Sequence, residues 1–166
     1  MASGGSAQAR GNRSLRDRLL LKLFHFTFLL TRPMTLGVRG VVLEDRKRVL
    51  LVKHGYIPGW HFPGGGVETG ETFESALARE LQEEALVVMR GRARLHGVFF
   101  NGRVSRRDHV AVYVIEDFRF TPGRPADMEI LAAEFFPVDA LPEGTTSATR
   151  RRLEEILNAR EIDPFW

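Results

Sequence analysis

The sequence predicts an α/β fold in which a mixed sheet is held between helices, and three observations lead there. Apolar runs suited to strands fall near 35–53, 93–101, 109–120 and 135–138. An amphipathic helical pattern lies among them, and a second, TSATRRRLEEILNAR, closes the chain with Leu153, Ile156 and Leu157 on one face. The length, 166 residues with 43% hydrophobic, supports one domain with its own core. Strands on both sides of a central helix, with another helix at the end, are the pattern of a sheet covered on both faces.

Taken in order, residues 1–13 (MASGGSAQARGNR) are small and polar and read as a disordered tail. Residues 14–32 read as an amphipathic helix, with Ser14 as its cap and an apolar centre from Leu19 to Leu30. That centre is shorter than the ~20 residues needed to span a bilayer. TRPMTLG offers no small-x-small cleavage site, so a cleaved leader is not expected. The helix is expected to pack on its own domain or in a homodimer. Peripheral contact of residues 15–31 with an anionic membrane surface is the alternative. His25 within it has no nearby second ligand and reads as a packed or interfacial histidine.

The domain proper is expected over 33–166. Pro33 stops the helix, MTLGVRGVVLED alternates as a strand, and Arg48–Lys53 is its hairpin partner. HGYIPGWHFPGGG is a loop rich in Gly, Pro and aromatics. The formal charge is +3, and the sequence pI is about 9.8. Residues 1–33 hold six bases and one acid, whereas the remainder holds 18 bases and 20 acids. The basic balance belongs to the N-terminal arm, which gives no reason to expect a nucleic-acid-binding core. Cysteine is absent, which excludes disulfides and thiolate chemistry and is compatible with the expected cytoplasmic setting.

The chemistry concentrates in GGGVETGETFESALARELQEEALV, from Gly64 to Val87. A glycine turn feeds a helix capped by Thr72, with Glu74 in its first turn. Glu80, Glu83 and Glu84 fall on one face, while Leu77, Ala78, Leu81 and Ala85 fall on another. Three like charges so close repel one another, and a hard divalent cation is the simplest compensation. The plain alternative is a solvated acidic face.

This stretch resembles the Nudix box, Gly-x5-Glu-x7-Arg-Glu-hydrophobic-x-Glu-Glu-x-Gly-hydrophobic, at every fixed position except the last glycine, here Leu86. The resemblance covers roughly residues 35–160 and implies the α/β/α Nudix sandwich. It also implies Mg²⁺-assisted (or Mn²⁺-assisted) hydrolysis of a pyrophosphate in a nucleoside diphosphate derivative, for which a nucleotide sugar is one candidate. On this resemblance Glu80 and Glu84 are the metal ligands, with Glu83 completing the cluster and the Gly64 carbonyl a further ligand. Arg79 is expected to hold a carboxylate, either Glu83 or Glu71, and Glu71 to act as a structural anchor. The water-activating base is Glu80 or, from a later loop, Glu129. Tyr56, Trp60 and Phe62 are candidates for substrate stacking, and Arg103, Arg106, Arg107 and His109 for phosphate contacts. Packing aromatics and a solvated loop are the respective alternatives. A nucleoside triphosphate or RNA 5′-end pyrophosphohydrolase is the runner-up function, and a catalytically silent nucleotide sensor a third. Leucine at position 86 resists the left-handed conformation, so the helix is expected to end differently there.

Overall fold

In a computed structural model, residues 34–123 and 129–166 are described. The expectations for the N-terminal tail and helix lie outside the described residues. Among the described residues eight strands and two helices follow in order: β1 (Thr35–Glu44), β2 (Arg48–His54), β3 (Trp60–His61), α1 (Phe73–Ala85), β4 (Val87–Met89), β5 (Arg94–Phe100), β6 (Asp108–Ile115), β7 (Phe118–Phe120), β8 (Ile130–Pro137) and α2 (Ser147–Asn158).

The main sheet is mixed, in the order β3-β2-β1-β6-β5, with β8 on the other edge of β2. β1 and β6 run parallel from Thr35 opposite Asp108 to Val42 opposite Ile115, and the other pairings are antiparallel. β1 and β2 pair only at their hairpin end, Leu43 with Val49 and Glu44 with Arg48. Beyond it they diverge, and Pro63–Gly65 lies against β1. Gly40 N–H donates to the Pro63 carbonyl and Val38 N–H to the Gly65 carbonyl, both at 2.9 Å. This is how the glycine turn is tied to the centre of the sheet.

Side-chain alternation along the strands builds two cores. On one face Val38, Val42, Leu50 and Val52 pack with Ala76, Leu77 and Leu81 of α1. On the other Val41, Leu43, Val49 and Leu51 pack with Phe62, Phe99 and Leu153 and Ile156 of α2. The α/β/α sandwich is therefore the observed architecture. The last residues add to the edge of β5: Phe100 N–H donates to the Pro164 carbonyl at 2.9 Å, and Trp166 N–H to the Phe100 carbonyl at 3.0 Å.

Three local expectations are corrected. The run 109–120 is not one strand, because the chain leaves the sheet after Ile115 and Phe118–Phe120 pairs with Val87–Met89 in a separate ribbon. Ala78 faces solvent, and Ala76 takes the inward position. α1 does end in the left-handed conformation at Leu86, with φ 52° and ψ 36°, and its N–H donates to the Gln82 carbonyl at 3.3 Å. Leucine accepts there a backbone state that costs an L-residue about 1–2 kcal/mol.

Candidate active site

The site is built where the glycine turn meets α1. Thr72 caps the helix as expected, accepting from Ser75 N–H at 3.1 Å while Ser75 Oγ accepts from Thr72 N–H at 2.9 Å. This reciprocal box fixes the register of the helix and hence the direction of each glutamate. Glu84 is turned inward and is 5% exposed. Its Oε2 accepts the Gly64 N–H at 2.7 Å. Its Oε1 lies 3.7 Å from Nε2 of His54, a buried residue at the end of β2. Glu80 lies one turn earlier, against Gly65, where any Cβ would collide with its carboxylate. Gly64 has φ +138°, and a side chain there would run into the Val38 carbonyl. Gly64 is thus required by its backbone angle and the Val38 carbonyl, whereas a side chain at Gly65 would displace the Glu80 carboxylate.

Arg79 gathers the remaining carboxylates. It donates to Glu71 through Nε at 2.9 Å and Nη2 at 3.1 Å. It also reaches Glu80 at 2.8 Å, Glu83 at 3.2 Å and the Gly66 carbonyl at 3.2 Å. Both pairings expected of Arg79 form at once. The Arg79 hydrogen bonds, helped by the Glu68 N–H, pull the Glu71 carboxyl down to about 2. Glu71 therefore anchors the turn while Glu83, half exposed, marks the outer edge of the cluster.

Among the described residues no group of three or more acidic or imidazole side chains already converges as a metal cage. The arrangement is instead two carboxylates, Glu80 and Glu84, set beside one glycine turn. The carbonyls of Pro63, Gly65 and Gly66 accept hydrogen bonds from Gly40, Val38 and Arg79, whereas among the described residues none reaches the Gly64 carbonyl. Such a donor set suits Mg²⁺, which takes one or two carboxylates and completes its shell with water and phosphate oxygens.

The other candidates separate. Tyr56 and Glu129 come together, lining an open cleft of about 420 Å³ with Gly55, whose N–H donates to the Glu129 carbonyl at 2.8 Å. The Tyr56 ring lies 5.4 Å from that of His54, which connects this cleft to Glu84. Trp60 packs edge-on to Phe136 at 4.8 Å. Phe62 is a correction: it is wholly buried in the second core and has no face to offer a ligand. Arg103 lines a different cleft, with Phe100, Arg151, Phe165 and Trp166, to which no box residue contributes. Arg106 and Arg107 are exposed on the β5–β6 loop, and the His109 ring lies against Phe100 at 5.5 Å.

Sequence reasoning passed over His54, His61 and Arg39. Burial holds the His61 imidazole below its ordinary value; its hydrogen bond to the Pro58 carbonyl opposes this, and the charge of Arg39 adds to it. The available signal for Arg39 was a single charge inside the apolar run Val38–Leu43.

Fold and site together define an α/β/α sandwich with an acidic helix docked on a glycine turn. A family model described as the NUDIX domain matches residues 33–156, and the chain belongs to that family. A MutT NUDIX hydrolase from Burkholderia pseudomallei superposes with a TM-score of 0.61 at 31% identity, covering 74% of this chain and 97% of that one. A NUDIX hydrolase from Nitrosomonas europaea gives a TM-score of 0.64 at 22% identity, covering 76% and 90%, a likeness of fold. Among curated relatives, an ADP-ribose pyrophosphatase of Methanocaldococcus jannaschii is 33% identical over 111 residues, 64% of each protein. A putative 8-oxo-dGTP diphosphatase of Bacillus subtilis is 44% identical over 50 residues, 30% of this chain. The matched regions span 34% of the Bacillus relative and 64% of the archaeal one.

Proposed function

We propose that this chain is a divalent-metal-dependent pyrophosphohydrolase acting on a nucleoside diphosphate linked to another group, with a nucleotide sugar as one candidate substrate. The observation that carries this reading is the pairing of Glu80 and Glu84 across Gly64–Gly65, beside a Gly64 carbonyl that takes no hydrogen bond among the described residues. Glu80, Glu84 and the Gly64 carbonyl would hold Mg²⁺ or Mn²⁺, with Glu83 at the rim. When bound, the cation supplies charge neutralisation on the pyrophosphate and orients a water for in-line attack.

The remaining steps belong to the chain itself. Arg79 keeps the Glu80 carboxylate in place. The Gly64 N–H does the same for Glu84, whose second oxygen is steadied near His54. Tyr56 and Glu129 offer a wall for the nucleotide and a carboxylate at the mouth of the cleft. Glu129 and Glu80 are the two candidates for taking the proton of the attacking water. Retention of all three box glutamates favours catalysis over a silent sensor. The name of the Bacillus relative favours a nucleoside triphosphate as the second substrate reading.

The test is a screen of nucleotide sugars, dinucleotides and triphosphates with Mg²⁺ or Mn²⁺, with products identified by mass. The expected result is metal-dependent cleavage within the pyrophosphate, lost by several kcal/mol of transition-state stabilisation, or about 10³-fold in rate, in Glu84→Gln. Near-wild-type turnover by Glu84→Gln at limiting and saturating Mg²⁺ would sink the assignment.

A further inference from the structure

We infer that Arg39 is the anion clamp of this site, its guanidinium taking phosphoryl oxygens of the substrate beside the Gly64 turn. The inference rests on the reading above and adds a substrate-binding residue to it. Arg39 is the one charge in the run Val38–Leu43 of a strand otherwise given to the two cores. Its Cα packs so closely on Gly64 that a Cβ there would come within 2.9 Å of it. Gly64 is the residue whose N–H holds Glu84, so the stem of Arg39 starts at the turn that carries the carboxylates.

The guanidinium is incompletely paired. Its Nη1 is shielded from solvent and has no acceptor, and Arg39 enters no ion pair among the described residues. Nε of Arg151 and of Arg152 also lacks an acceptor, but those guanidinia, like that of Arg79, donate through their other nitrogens to carboxylate or carbonyl oxygens. Arg39 is only partly buried, but a shielded donor without an acceptor costs stability and calls for an explanation. The glutamates at the turn repel a pyrophosphate. Arg39 is not spent on neutralising them, so its charge remains for the substrate. A planar fork of N–H donors is matched to phosphate oxygens in pairs.

The experiment uses the full chain with Arg39→Met and Arg39→Lys. It measures thermal unfolding and the calorimetric binding of inorganic pyrophosphate, with and without Mg²⁺. Arg39→Met should bind metal-free pyrophosphate at least tenfold more weakly while its Tm stays level or rises, because the substitution breaks no ion pair among the described residues and removes a shielded, unpartnered donor. Arg39→Lys should recover part of the affinity, as a charge without the fork. Unchanged affinity in Arg39→Met, or no measurable binding by the wild type, would overturn the inference. A fall in Tm accompanying the lost affinity would do so as well, by making Arg39 a structural strut. The readout needs no turnover. A wild type that binds pyrophosphate through Arg39 yet hydrolyses nothing in the substrate screen would sink the hydrolase reading and leave the clamp standing.

Discussion

Two arginines on opposite faces of the sheet organise clusters of opposite character. Arg152, in α2, is 0% exposed and sits 4.0 Å above the Phe99 ring. It donates to Glu155 at 2.6 Å and to the Asp163 and Phe165 carbonyls at 2.9 and 3.3 Å. Glu155 in turn meets His96 Nε2 at 3.0 Å and accepts the Asp163 N–H at 3.1 Å. Burial draws the Arg152 guanidinium below its ordinary value, and the neighbouring Glu155 pulls it back. Charge there is balanced and every acceptor is a fixed part of the fold. Arg79 is one cation facing Glu71, Glu80 and Glu83, with Glu84 close behind. Its cluster is left negative. The balanced cluster reads as structure, and the unbalanced one suits the cation site proposed above.

That contrast can be broken most severely at Arg152. Arg152→Met should leave Glu155 buried without its countercharge and cost about 3–5 kcal/mol in urea unfolding, with hydrolysis per folded molecule unchanged. Activity lost without loss of stability would place this face in the chemistry and end the distinction. At the other cluster, Glu80→Gln should reduce single-turnover hydrolysis by about 10²–10³-fold while leaving the unfolding midpoint nearly where it was. Running Glu129→Gln beside it at several pH values sharpens the picture. A comparable loss in Glu129→Gln with substrate affinity intact assigns the base to the cleft mouth, and no loss assigns it to the helix.

The smallest effect concerns acid. Arg79 depresses the Glu71 carboxyl from 4.5 to about 2, so the stabilisation it lends the turn is fully present above pH 4.5. It fades as pH falls from 4.5 towards 2, because the unfolded chain takes up the proton first. The stability difference between wild type and Glu71→Gln should therefore close over that range. A difference that stays constant down to pH 2 would show that Arg79 does not hold this carboxylate in solution.

Much of this organisation was legible in the residues. Strands β1 and β2, both helices, the Thr72 cap and the acidic cluster all follow from periodicity and spacing. What escaped was whatever depends on neighbours far along the chain. The break after Ile115 was hidden because Phe118 and Phe120 continue the alternation that β6 begins. Trp60 and Phe62 look equivalent as aromatics in a loop, yet Phe62 is taken wholly into the second core. Helical spacing put Glu84 on a face with Glu80 and Glu83. It could not show that Glu84 is buried beside His54, which comes from another strand. Leu86 was misjudged because its local cost was visible and the Gln82 hydrogen bond that accompanies the turn was not.

The pairing of Pro164–Trp166 with Phe100 carries a consequence for solution behaviour. β5 is the outermost strand beside β6, and its exposed Leu95 and Val98 give it a surface that a neighbouring molecule's strand could extend. The terminal segment occupies the Phe100 end of that edge and is itself held by Arg152 through the Asp163 and Phe165 carbonyls. A buried arginine in α2 thereby helps to keep the Phe100 end of that rim covered. Loosening that arginine would turn a question of folding into one of colloidal stability.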